Sequence, residues 1–142
     1  MQLDKFTDYA LRVLVTLCVR APERVATAEI AQIYGLSTNH LAKVVTELVR
    51  TGFVKSERGR SGGLVLARPA EQINIGAVLR MLKQDDPVVE CFSSGGSCLI
   101  LPACGLRTPL AEAQEAFFAS LDRYSLVDVT QSRKQLLALL TP

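Results

Sequence analysis

Gly35 and Gly52 each cut off a run of helical periodicity, and the stretch they bracket narrows what this chain can fold into. Before Gly35, Thr27 caps a short helix that turns Ile30, Ala31 and Ile33 inward. After the tight turn at Gly35-Leu36, Ser37 opens a second helix through Arg50, with Leu41, Val44, Val45 and Leu48 as its buried stripe. An earlier helix over Thr7–Arg20 places Phe6, Ala10, Val13, Leu14, Leu17 and Cys18 on one side, with Thr7 as its cap. Beyond Gly52, the β-prone runs Phe53–Ser56 and Leu64–Ala67 flank the basic, glycine-rich Arg58–Gly63, which reads as a hairpin. Three helices followed by a basic hairpin is the layout of a winged helix-turn-helix.

The remainder reads as mainly helical. Asn74 caps a helix over Ile75–Leu82, and Asp85-Asp86-Pro87 ends it. A helical stretch in which Leu106, Leu110, Ala113, Phe117, Leu121 and Tyr124 step by three and four has Thr108 as its expected cap and Pro109 in its first turn. A weaker helix covers Val127–Leu140. The fold expected is thus mainly α, divided into a winged helix-turn-helix over residues 1–83, a cysteine-bearing loop over 84–108, and a long helix with a C-terminal helix over 109–142. At 142 residues the chain suits one domain with an appended element. No apolar run approaches the roughly 20 residues that span a bilayer. The amino terminus lacks an export-signal layout, so the cytoplasm is the expected compartment and no membrane partner is expected.

Charge is uneven along the chain. Residues 1–70 hold ten Lys or Arg against six Asp or Glu, whereas residues 71–142 hold six against eight. A basic front half in a folded protein suits an anionic partner, and with this motif the partner is double-stranded DNA. The second helix of such a motif presents its first residues to base edges in the major groove, here Thr38, Asn39, His40 and Lys43. Asn39 can pair with adenine through two hydrogen bonds. Arg58, Arg60, Ser61 and Gly62 form a wing suited to a minor groove or its phosphate walls, and Arg50 and Lys55 add phosphate contacts. His40, the only histidine, has no cysteine or carboxylate at helical spacing and is read as a groove-facing or surface residue.

Three of the four cysteines crowd together as Cys91-x6-Cys98-x5-Cys104. In a reducing compartment that pattern favours soft-metal ligation over disulfides. Structural zinc sites use close cysteine pairs and four ligands, so an iron–sulfur centre is preferred to zinc. The spacing matches no ferredoxin, which counts against an electron carrier. Cys18 lies on a core stripe, and Asp8 is most simply an anion placed at a helix N-terminus. No catalytic set is visible, and the protein is expected not to be an enzyme.

Together, Phe6-Thr7-Asp8-Tyr9-Ala10-Leu11-Arg12, the wing Arg58-Gly59-x-x-Gly62-Gly63-x-x-Leu66 and the spaced cysteines resemble the family of winged-helix iron–sulfur transcription regulators that includes NsrR and IscR. The chain is most similar to its nitric-oxide-responsive members. IscR types carry a histidine where this chain has Arg107, and the interval from Cys91 to Cys98 is a residue or so longer than in the family. The resemblance implies a repressor held on operator DNA as a homodimer, packed through Leu110, Ala113, Phe117 and Leu121 of the long helix. It implies that Cys91, Cys98 and Cys104 hold an iron–sulfur cluster, [4Fe–4S] in preference to [2Fe–2S], with Asp8 donated by the other subunit. Nitric oxide is then the effector that releases the DNA. A regulator of the same family that follows iron or cluster supply is the alternative.

Overall fold

The computed structural model describes all residues 1–142. In chain order it comprises α1 (Lys5–Arg20), α2 (Thr27–Tyr34), α3 (Thr38–Arg50), β1 (Val54–Glu57), β2 (Gly63–Leu66), α4 (Ile75–Leu82), α5 (Arg107–Leu121) and α6 (Arg133–Leu139). The fold is mainly α with one antiparallel hairpin, as the sequence implies. No helix is long and apolar enough to cross a membrane. The chain forms two compact units, one of residues 1–73 with 124–142 and one of residues 74–123. This partition differs from the sequence division at 83 and 108: α4 groups with the cysteine segment, and the C-terminal segment returns to the first unit.

The first unit is built on α1. Its fully buried Ala10, Val13, Leu14 and Leu17 recur at helical spacing, and α1 packs on α3 and β2. Ile30 and Ala31 of α2, Leu41, Val44 and Leu48 of α3, and Phe53, Val54 and Leu64 of the hairpin complete the core. β1 and β2 pair with Val54 opposite Leu66 and Glu57 opposite Gly63. Val25 adds a one-residue bridge to Leu64 through two backbone bonds of 3.1 and 2.8 Å. At the other end of α1, Arg133 donates from Nε to the Val19 carbonyl at 3.0 Å and from Nη2 to the Ala21 carbonyl at 2.6 Å. It thereby satisfies acceptors that a helix terminus leaves open.

Several local expectations need correction. The cap of α1 is Asp4, not Thr7; Asp4 accepts from the Thr7 amide at 2.9 Å and from the Thr7 hydroxyl at 2.8 Å, so the helix starts before its apolar stripe. Thr27 and Thr108 lie inside their helices, and Ala26 and Leu106 occupy the cap positions without a side-chain bond. Tyr124 lies beyond α5, which ends at Leu121. The helix expected over Val127–Leu140 shortens to α6 after a single 3-10 turn. There Asp128 accepts from the amide and hydroxyl of Ser125, at 2.7 and 2.9 Å, a local alternative to helical bonding.

In the second unit, Asn74 caps α4 through a 2.9 Å bond from the Ala77 amide. Arg80 ties α4 to α5, donating to Glu115 at 2.8 and 2.7 Å and to Asp122 at 2.7 Å, with its guanidinium 5.0 Å from the Phe118 ring centroid. Of the face expected to meet a second copy, Leu110, Phe117 and Leu121 are half-buried and Ala113 is exposed.

Arg20 is buried, with its side chain 4% exposed, and binds Glu23 at 3.1 and 2.6 Å and Glu29 at 2.5 Å. One guanidinium thus joins the end of α1, the following turn and α2. Its bonds hold the Glu23 carboxyl below the usual glutamate range. That contribution to stability is present above the unfolded value and is lost as pH falls through the lowered one. Arg20→Ala is expected to cost about 2 kcal/mol in urea unfolding, from lost stem packing and severed bonds. It should also flatten the loss of stability on acidification, measured from the same unfolding curves across pH.

Candidate nucleic-acid interface and thiol segment

The turn between α2 and α3 follows from its residues. Gly35 adopts φ 64°, a left-handed conformation that favours glycine, and ends α2. Ser37 then caps α3, its side chain accepting from the His40 amide at 3.4 Å. With Leu41, Val44, Val45 and Leu48 buried, the helical period leaves Asn39 and Lys43 exposed on the opposite face with Thr46, while Thr38 is exposed at the edge of the first turn. Asn39 and Lys43 therefore stand one turn apart on one face, with side chains available to a ligand, and Thr38 is exposed beside the start of the helix.

His40 stands apart from them. It is half-buried, and its ring meets Tyr9 of α1 edge-on at a centroid distance of 5.2 Å. This contact adds a packing role to the groove-facing or surface position expected of His40 from the sequence. Arg50 is likewise engaged, donating to Glu47 at 2.8 and 2.5 Å, which holds the Glu47 carboxyl below its usual range. Lys55 is exposed on β1.

At the hairpin tip, Arg58, Arg60 and Ser61 are exposed, and neither arginine pairs with a carboxylate. Gly62 closes the turn, donating to the Gly59 carbonyl at 3.0 Å. A Cβ on Gly62 would collide with the Glu57 carbonyl oxygen and stand 2.9 Å from that of Gly59. Only glycine fits this close approach.

A second cluster went unread in the sequence. The Arg12 guanidinium lies 5.6 Å from the Tyr9 ring centroid and 5.5 Å from that of Tyr34, and it donates to Asp8 at 3.2 and 2.7 Å. The Asp8 carboxylate raises the Arg12 pKa above its ordinary value. Thr16 completes the group at 3.1 Å from the Tyr34 hydroxyl. Asp8 is thus the ion-pair partner of Arg12, both side chains about two-fifths exposed.

The three clustered cysteines lie in the second unit, outside any α-helix or strand. Cys91 sits in a 3-10 turn over Glu90–Phe92, Cys98 is exposed, and Cys104 follows a 3-10 turn over Leu101–Ala103. Gly96 folds back against the first turn: a Cβ there would be 2.8 Å from the Glu90 carbonyl oxygen and 3.0 Å from Cys91 Cα. All three thiols are free. Soft donors on irregular, accessible backbone fit a thiophilic centre in their chemistry. They are not gathered, since no group of three or more His, Cys, Asp or Glu side chains is placed to hold a metal ion. Cys18 belongs to the first unit, with its Sγ 3.3 Å from the Thr130 hydroxyl.

Comparison with known proteins supplies a context for this geometry. The family model Rrf2, described as an iron-dependent transcriptional regulator, matches residues 3–132. The HTH-type transcriptional regulator NsrR of Oceanobacillus iheyensis is 44% identical over 142 residues, covering 99% of this chain and 97% of that protein. NsrR of Bacillus subtilis is 42% identical over the same coverage. Among solved structures, T. potens IscR superposes with a TM-score of 0.73 over 93% of this chain and 88% of its own, at 22% identity, a likeness of fold.

Two substitutions test the DNA-facing geometry. Asn39→Ala should weaken binding to the preferred DNA sequence by about 1–3 kcal/mol and relax selectivity at one base pair, measured by fluorescence anisotropy against single-base variants. Gly62→Ala should weaken DNA binding through a displaced wing while the far-ultraviolet circular dichroism of the helices is unchanged.

Proposed function

The chain belongs to the Rrf2 family of transcriptional regulators, and on that premise we propose that it is a nitric-oxide-responsive repressor. Near-full-length similarity to proteins named NsrR carries the reading, and three free thiols in one loop support it. On this reading the protein works in the cytoplasm as a homodimer on α5. Thr38, Asn39 and Lys43 of each α3 read base edges, and Arg58, Arg60, Ser61 and Gly62 hold the wing on the backbone. Lys55 adds a phosphate contact, and Arg50 one that competes with its bond to Glu47. His40 fixes the first turn of α3 against Tyr9.

Cys91, Cys98 and Cys104 would hold an iron–sulfur cluster of the [4Fe–4S] type, with Asp8 of the partner subunit as a further donor. When bound, such a group supplies an iron centre that nitric oxide can attack. The chain's own part is to offer soft thiolates and one harder carboxylate. Asp8 is available for this, because an ion pair as exposed as Asp8–Arg12 contributes only about 0–1 kcal/mol. The description of the family as iron-dependent favours a second reading, a regulator that follows iron supply.

Anaerobic purification should give a coloured protein with iron and acid-labile sulfide near four each per chain, the stoichiometry of the proposed cluster. Stoichiometric nitric oxide should then lower operator affinity by about tenfold or more, a coupling of about 1.4 kcal/mol. Cys98→Ala should abolish both the colour and the response. Unchanged affinity under nitric oxide, with affinity that instead tracks iron depletion, would select the second reading. A colourless, zinc-loaded protein would defeat both.

A further inference from the structure

Arg24 precedes α2 and carries no motif, yet in the fold it reaches the hairpin. Its Nη1 donates to the Ser61 carbonyl at 3.1 Å, and its Nη2 pairs with Glu57 at the end of β1. The backbone follows the side chain. Val25 bridges Leu64 through two hydrogen bonds, and a Cβ on Gly63 would lie 3.1 Å from both Arg24 Cβ and the Val25 amide nitrogen. Val25 therefore adds a one-residue bridge beside β2, and one guanidinium fork joins the end of β1 to the hairpin tip.

We infer that Arg24 is a positioning residue for DNA binding: with Glu57 and the Ser61 carbonyl it forms a brace that pre-sets the wing, so that Arg58 and Arg60 meet the duplex without first being ordered. This deepens the proposed reading of the wing as a DNA contact and rests on it. A two-stranded hairpin with a flexible, glycine-rich tip is marginal by itself. Ordering its tip on binding would consume affinity that Arg58 and Arg60 otherwise provide. The division of labour follows from charge. Arg58 and Arg60 have no carboxylate partner, whereas the positive charge of Arg24 is already matched by Glu57. A planar fork can satisfy a carboxylate and a carbonyl at once, which a lysine ammonium does less well.

A double-mutant cycle separates positioning from direct contact. Arg24→Ala is expected to weaken operator binding by about tenfold in the wild-type background and by less than about twofold in an Arg58→Ala/Arg60→Ala background, because residues acting through one element are not additive. The slope of log affinity against log salt should match that of the wild type, since no phosphate contact is removed. Amide hydrogen exchange on the free protein should quicken at Gly62 and Leu64 in Arg24→Ala and also in Glu57→Gln, which leaves the arginine in place. Arg24→Lys should recover only part of the affinity. The inference is overturned by equal losses in both backgrounds with a salt slope reduced by about one and full rescue by lysine, the behaviour of a direct phosphate contact. Unaltered exchange at Gly62 and Leu64 would overturn it as well. A wild-type protein with no sequence-preferring DNA affinity would instead remove the underlying reading, and the inference with it, whatever the exchange rates.

Discussion

The burial of one face of α3 against α1 is the contact on which the rest of the first unit depends. Leu41, Val44 and Leu48 on one side and Ala10, Val13, Leu14 and Leu17 on the other are all shut off from water. Each large side chain so buried contributes about 1.5–3 kcal/mol. Because α3 has 3.6 residues per turn, fixing its apolar stripe fixes the outward direction of Asn39 and Lys43. The edge contact of His40 with Tyr9 adds a constraint at the first turn, where a base-reading helix most needs its angle set. α1 serves as the reference for other parts too: β2 packs on it, and Arg133 binds the carbonyls at its end.

The charge distribution then acquires a structural meaning. All six acidic residues among the first seventy are engaged: Asp4 caps α1, Asp8 holds Arg12, Glu23 and Glu29 hold Arg20, Glu47 holds Arg50, and Glu57 holds Arg24. Of the six basic residues there without a carboxylate partner, four stand where the motif would meet DNA, Lys43 on α3, Lys55 on β1, and Arg58 and Arg60 on the wing, while Lys5 and Arg68 lie elsewhere. A modest excess of positive charge is thereby focused by internal pairing, and a focused field steers association with a polyanion better than the same charge spread evenly.

The parts legible in the sequence are those decided within a few residues. The α2–α3 turn, the Ser37 cap, the apolar stripe of α3 and the hairpin all follow from local periodicity and turn chemistry. The Asp4 cap escaped because it precedes the stripe that marks α1. The expected threonine caps at 27 and 108 failed because a capping residue type does not by itself decide which residue enters the helix. Side-chain partnerships were least legible. Nothing local says that Arg24 finds Glu57 and Ser61, that Tyr34 joins Arg12, or that His40 packs against Tyr9, since each partner is brought up by tertiary folding. At the cysteines, residue type pointed to the chemistry of the donors, while their placement depends on backbone that no core residue anchors.

On the proposed reading, a sensing segment and a DNA-reading surface share one chain and differ in how they are held. The exposed face of α3 is pre-set by burial and by a cap, so on the proposed reading it requires little ordering on contact with DNA. The segment carrying Cys91, Cys98 and Cys104 has only two 3-10 turns, and Leu99, Ile100 and Leu106 within it are exposed. Few buried contacts oppose its rearrangement. Loop-closure cost grows only slowly with length, by about 0.6 kcal/mol per doubling. Ligation energies far exceed that scale, so a thiophilic centre can shape such a segment rather than fit a preformed cage. On the proposed reading, that softness makes the segment's conformation depend on what its thiols hold.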